Sequence, residues 1–337
     1  MNKKVIVVFL IFIFIIFEYF NTFEQLESMA RDFNFRDNGY IDSRIIIIGI
    51  DDESLNSIGK WPWKRETHAE LLNIIEKGSP AVIGFDIMLS ENDDDLEQDK
   101  ILSETLGNYD NIIFPVVGVF DSSLKANNVI AKSIIKPVGI LEKKVNTGHI
   151  NVIPDLDGIV RNSLLKFEYN DELIYSFSWE IYSMYIKNNK EVRNIEESKI
   201  PVDDWNRMQI NFYGKPFDME CISYSSVLNG EIPVEYFKNK IVLVGAYSLG
   251  INDYYLTSIE RQVPMYGIEI HANIIQNFLD GNLKANAPFI LNVFILLFIA
   301  VFSYFFINKL TIVKSSILIT IIIILYYIIS IKIYKMG

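Results

Sequence analysis

Residues 45–72 read IIIIGIDDESLNSIGKWPWKRETHAELL. Four consecutive isoleucines suit a membrane span or a strand buried on both faces. The run Arg44–Ile50 is far below the ~20 residues a span needs, and Asp51, Asp52 and Glu53 follow at once. It therefore reads as a buried central strand. Downstream, the apolar spacing predicts a helix over 65–77, stopped by Gly78 and Pro80, then a second apolar strand over 81–87. An acidic stretch at 92–95 leads into a helix ending near Leu106 and Gly107, and 112–119 is a third strand. This alternation predicts an α/β fold, a mainly parallel central sheet with flanking helices.

The middle of the chain is less regular. Segments 145–152 and 160–169 flank Pro154, Asp155, Leu156, Asp157 and Gly158, which read as a hairpin turn with Arg161 pairing to Asp157. An EF-hand frame fails there, since its twelfth position is Lys166. A helix is expected over 173–186, an exposed polar loop over 188–198, strands over 209–213 and 240–246, and a helix over 267–279 stopped near Gly281.

With 50% hydrophobic residues, the composition points to membrane segments. Val5 to Phe17 is wholly apolar after Lys3 and Lys4, and residues 1–20 are expected to form an uncleaved anchor, with a signal peptide as the alternative. Residues 21–40 continue it as an amphipathic stalk helix bearing Phe20, Phe23, Leu26, Ala30 and Phe33. Two further apolar stretches, 288–308 and 312–334, are long enough to span, and on the first Asn292 and Ser303 fall on one face. Lys3 and Lys4 place the N-terminus in the cytoplasm, so 41–287 lies outside as an extracellular or periplasmic domain. Lys332 and Lys335 then fall on the wrong side, which suggests a further span or a longer protein.

The net charge is −11, and the membrane parts contribute six lysines against Glu18 alone, so residues 21–287 carry −16. Such a surface repels phosphate backbones, which argues against nucleic acid as a partner. Cys221 is the single cysteine, so no intrachain disulfide staples the domain.

Asp51 and Asp86 each sit past the C-terminal end of a predicted strand, the edge where open α/β sheets bind ligands. Were the two strands neighbours, Asp51 and Asp86, with Asp253, could hold a cation or a polar ligand. Read singly, each is also the short acid that caps the turn after a strand. Trp61 and Trp63 offer aromatic surface to a sugar, a ring or a cation, or form a rigid turn covering the sheet edge. His68 and His271 share their helix faces with apolar residues and point inward, as core histidines or as groups reaching the acid-lined edge. Each opens a similar helix after an apolar-apolar-Gly-apolar strand, a shared packing solution or an old duplication. Gly245 to Gly250 lacks the Lys-Ser/Thr of a phosphate loop, and three histidines with one cysteine make a zinc site improbable. No catalytic set, metal or cofactor is expected.

The motifs IGIDDES (48–54), GKWPW (59–63), Arg65, His68, IGFD (83–86), GHIN (148–151), PDLDGIVR (154–161), ISY (222–224), KIVLVG (240–245), Asp253 and GIEIHAN (267–273) together resemble the CHASE2 extracellular sensor domain. The likeness covers nearly the whole outer domain, including Arg31, Asp32, Phe35 and Arg36. It implies an α/β input module of bacterial signalling receptors, set between an N-terminal span and usually three C-terminal ones, with a cyclase or kinase effector following. This chain departs in having two C-terminal spans and no effector, and Thr257-Ser258 where the family suggests Thr-Pro. The expectation is a multi-pass membrane sensor without catalytic activity. Its ligand is an undefined small molecule or ion, and its partners are the lipid bilayer and a second copy or a separate effector. A metal-dependent anchored hydrolase and an envelope adaptor are the rival expectations.

Overall fold

The computed structural model describes residues 40–121, 129–189, 193–285 and 289–307, with isolated positions on either side. Two compact units emerge: residues 37–283, and residues 1–36 with 284–337. In the first, the chain runs β1 (Ile45–Ile50), α1 (Asp52–Ile58), α2 (Arg65–Lys77), β2 (Val82–Asp86), α3 (Leu96–Leu106), β3 (Ile112–Val119), β4 (Ser133–Ile135), α4 (Gly139–Glu142) and β5 (Asn146–His149). It continues through β6 (Ile159–Val160), β7 (Asn162–Leu164), β8 (Lys166–Tyr169), β9 (Glu172–Tyr175), α5 (Phe177–Asn188), β10 (Arg207–Gln209), β11 (Cys221–Ser223) and α6 (Tyr224–Leu228). The last elements are β12 (Ile241–Ala246), β13 (Tyr254–Thr257), β14 (Met265–Tyr266) and α7 (Gly267–Asp280).

The main sheet has the order β11-β1-β12-β2-β3-β4, with β5 also on β3. All its pairings are parallel except β3 with β4. Every residue of β1 is buried, as a strand covered on both faces requires. Alternate side chains divide the core. Ile48, Ile50, Ile83, Phe85 and Val244 pack with α2, α3 and α6. Ile45, Ile47, Val82 and Leu243 pack with α5 and α7 on the other face.

Helix α7 is buried from Gly267 to Leu279, and Gly281 in the left-handed region (φ 63°) ends it. Its polar side chains complete the hydrogen bonding of extended backbone lying against it. Asn273 Oδ1 accepts from Tyr213 N at 2.8 Å. Asn277 Oδ1 accepts from Asn211 N at 3.0 Å, while its amide donates to Asn211 O at 2.9 Å. Gln276 Oε1 accepts from Asp42 N at 3.2 Å and its Nε2 donates to Tyr40 O. The helix thus stands in for a neighbouring strand.

Three expectations are corrected. The hairpin across Asp155–Gly158 does not form: β5 joins the main sheet on β3, while β6 pairs in parallel with β13. The turn itself is present, closed by Gly158 N donating to Asp155 O at 2.8 Å. Arg161 pairs with Asp157 at 2.7 Å, as expected, and with Asp155 at 2.8 Å. Residues 172–175 are strand, because Asn170 and Asp171 adopt positive φ (51° and 65°) and reverse the chain from β8 into β9. Helix α5 starts at Phe177, where Ser176 Oγ accepts from Trp179 N. Over 209–213 the ladder ends at Gln209, and Asn211 and Tyr213 pair with α7 instead.

In the other unit, α8 (Phe289–Ile307) covers the predicted 288–308 span over 19 residues. Side chains of Asn292 and of 303–307 lie outside the described residues, as do almost all of 1–20, almost all of the stalk at 21–40 and most of 312–334. Counted over described residues alone, no helix is long and apolar enough to cross a membrane.

Asn277→Leu removes both hydrogen bonds that its side chain makes with the Asn211 backbone, and a hydrogen bond lost on one side only costs about 1–3 kcal/mol. Denaturant unfolding is expected to show a loss of about 2–4 kcal/mol. Asp280→Ala, at the exposed end of α7, removes only a 3.4 Å acceptor for Gln276 Nε2 and should cost less, about 0.5 kcal/mol.

Candidate functional site

The C-terminal edge of the parallel sheet gathers the predicted acids, but not as neighbours. Strand β12 lies between β1 and β2, so Asp51 and Asp86 end strands that do not touch. Asp51 is the N-cap of α1, an element the sequence reading did not anticipate. Its Oδ1 accepts from Ser54 N at 2.8 Å, Ser54 Oγ at 2.6 Å and Ser223 Oγ at 3.0 Å. That carboxylate is spent on holding α1 to β11. Asp52 accepts from Ser248 Oγ, past the end of β12.

Asp86 instead meets Asp253. The last residue of β2, Asp86 is in register with Gly245 on β12, and Asp253 immediately precedes β13. Burial first, and the Asp253 carboxylate second, push Asp86 well above the ordinary carboxylate range. Burial also raises Asp253, opposed by a hydrogen bond from Tyr255. Burial and the two carboxylates together lift the Tyr255 phenol to about 12. Two half-buried acids so placed retain a proton at pH values where a solvated carboxylate has lost it. They favour a ligand that donates hydrogen bonds or carries positive charge.

The Asp253 carboxylate also rests on the start of α7. A Cβ on Gly267 would lie 2.4 Å and 2.7 Å from its two oxygens, so only glycine admits this contact. Gly267 N donates to Asp253 O at 3.1 Å. Two residues on, fully buried Glu269 accepts from Phe217 N at 2.7 Å, Tyr266 N at 3.2 Å and Tyr247 Oη at 3.3 Å. Phe217 holds a positive φ of 72° to make its bond.

On the other side of β2, Trp63 is buried and its Nε1 donates to Gly59 O at 2.8 Å, so it forms part of a turn. Trp61 is half-exposed and meets Trp63 and His68 edge-on at 5.2 Å and 5.8 Å. His68 is buried, with Nδ1 2.8 Å from the Tyr224 hydroxyl. Burial, then the Arg65 charge, lowers its pKa to about 3, so the ring is neutral. Trp61, Pro62, Arg65, His68 and the loop 87–91 enclose an open depression of about 230 Å³.

His271 lies on the opposite sheet face, Nδ1 2.8 Å from Ser178 Oγ and pKa lowered to about 4 by burial. The two histidines therefore share no site, and His271 is a core residue. His149, not singled out from sequence, is buried against Phe167 at 4.9 Å. Neither of its ring nitrogens has a partner among the described residues. Burial, then His271, lowers its pKa to about 3. Also missed were Glu269, Asn273, Gln276 and Asn277. A polar stripe at three-to-four-residue spacing inside an otherwise apolar helix was their signal. Among the described residues no group of three or more acids, histidines or cysteines is placed to hold a metal ion.

The family model of the CHASE2 domain matches residues 6–307. This chain belongs to the CHASE2 domain family. No curated protein and no solved structure matches it. CHASE2 is a sensory family, and the match takes in the whole sheet, Asp86, Asp253 and all of α7. The sequence motifs and the family match thus agree on a CHASE2 sensory domain.

Linkage gives the acids and the histidines opposite signs. Buried neutral His68, His149 and His271 lose stability as pH falls from 6.5 toward 3, where the unfolded chain binds protons first. Asp86 costs stability as pH rises above 3.8, where the unfolded chain releases its proton first. Asp86→Asn should therefore be more stable than the parent at pH 7.5, with the gain shrinking as pH falls toward 4. Denaturant unfolding across that range checks this, and a variant less stable at every pH would contradict it.

Proposed function

We propose that this CHASE2 chain is the extracytoplasmic ligand-input part of a bacterial membrane receptor, without catalytic activity of its own. Residues 1–20, 288–308 and 312–334 anchor it, and the lysines at 3 and 4 set the main domain outside. The output passes to a second copy of the chain or to a separate effector.

One observation carries this reading: α7 joins the acid edge to both ends of the domain. Its first residue lies under the Asp253 carboxylate, and Gln276, nine residues on, grips Tyr40 and Asp42, where the chain enters. Asp280 ends the helix, and the chain leaves the domain at Leu283. A ligand that neutralises Asp86 and Asp253 changes what rests on the start of α7. Because α7 is buried along its length, it responds as one body, biasing both exits together. The two arrangements need differ by only a few kcal/mol to be switched by such an input.

Asp253→Asn removes the charge as a bound cation would. In the full chain in detergent, hydrogen–deuterium exchange should change in two separated segments, 40–45 and 276–283, while 96–106 in α3 stays as in the parent. Unchanged exchange in both segments would contradict the relay.

A further inference from the structure

The depression beside Trp61 is separate from the acid pair and is not part of the relay. It sits where β2 ends: Phe85 contacts His68 at 5.5 Å, and the loop 87–91 forms its far wall. Its volume of about 230 Å³ falls below the roughly 300–1,000 Å³ of sites for drug-sized ligands, which leaves room for a single ring. One wall is the half-exposed Trp61 indole with Pro62, an apolar platform.

The polar groups select against charge. Arg65 is buried and two of its three nitrogens are taken: Nε lies 3.2 Å from Asp99 Oδ1, and Nη2 donates to Glu91 O at 2.9 Å. An anion would meet Asp93 and Asp99 behind that arginine, and a cation would meet the guanidinium itself. His68 is 1% exposed, and its Nδ1 is taken by Tyr224. No hydrogen bond is made by its Nε2 to the described residues, and His68 lines the depression. Ser90, exposed on the loop, adds a hydroxyl.

We infer that this depression binds a neutral monosaccharide, its apolar ring face on Trp61 and its hydroxyls on His68 Nε2 and the loop 87–91. An aromatic platform ringed by planar or hydroxyl hydrogen-bonding groups suits a saturated polyol ring, which is apolar on its faces and polar at its rim. The neutral imidazole serves as donor or acceptor across the physiological range, so binding should be flat between pH 6 and 8.

The test is saturation-transfer NMR on the full chain in detergent, with D-glucose, D-galactose and N-acetyl-D-glucosamine as the probes. At least one should receive saturation from the protein. Trp61→Ala loses packing against Trp63 and His68, so it should melt lower yet still fold, and bind it at least about tenfold more weakly. Asp253→Asn should bind as the parent does, which separates this site from the relay. No transfer to any of the three sugars, or transfer undiminished in folded Trp61→Ala, overturns the inference.

Discussion

Everything in this domain leans on helix α7, whose burial from Gly267 to Leu279 puts polar side chains where no water reaches. A buried amide left unpaired costs about 1–3 kcal/mol, so each of Asn273, Gln276 and Asn277 fixes where its backbone partner lies. The extended stretch around Asn211 and Tyr213 pairs with side chains on α7 instead of a strand. Residues 40–42 are fixed by the same helix. Hydrophobic burial supplies the driving force on this face, through Ile268, Ile275 and Phe278, but the amides supply the register.

The opposite end of α7 concentrates uncompensated charge. Asp51 has three hydrogen-bond donors and behaves as a structural cap. Asp86 has burial and the Asp253 carboxylate, Asp253 has burial opposed by a hydrogen bond from Tyr255, and both are pushed toward holding a proton. Carboxylates so placed cost stability near neutrality, and proteins keep such costs where binding needs them. Because Asp253 lies directly on Gly267, a carboxylate raised by burial touches the start of the buried helix.

Much of this was legible in the sequence because its signals are local. The isoleucine run of β1, the capped stops at Gly78 and Gly281, and the apolar strands β2, β3 and β12 follow from spacing over a few residues. Strand order was not legible: β12 enters between β1 and β2 from nearly two hundred residues away, and parallel pairing leaves no turn to announce it. That insertion parted Asp51 from Asp86 and left Asp86 with Asp253. Ser54, three residues after Asp51, was the overlooked sign of a cap. The apolar residues at 173–175 fit a helix or a strand equally, and only Asn170 and Asp171 decided between them. His68 and His271 share a sequence pattern, yet lie on opposite sheet faces, since similar packing needs arise on both.

The central claim is that α7 transmits the state of the acid edge to the domain's exits. A double-mutant cycle on unfolding free energy, with Asp253→Asn and Gln276→Ala, measures this directly. Gly267 and Gln276 lie about 14 Å apart along the helix axis, and at such separations effects normally add within about 0.3–0.5 kcal/mol. A coupling of about 1 kcal/mol or more is the predicted result. Additivity within that error would contradict it.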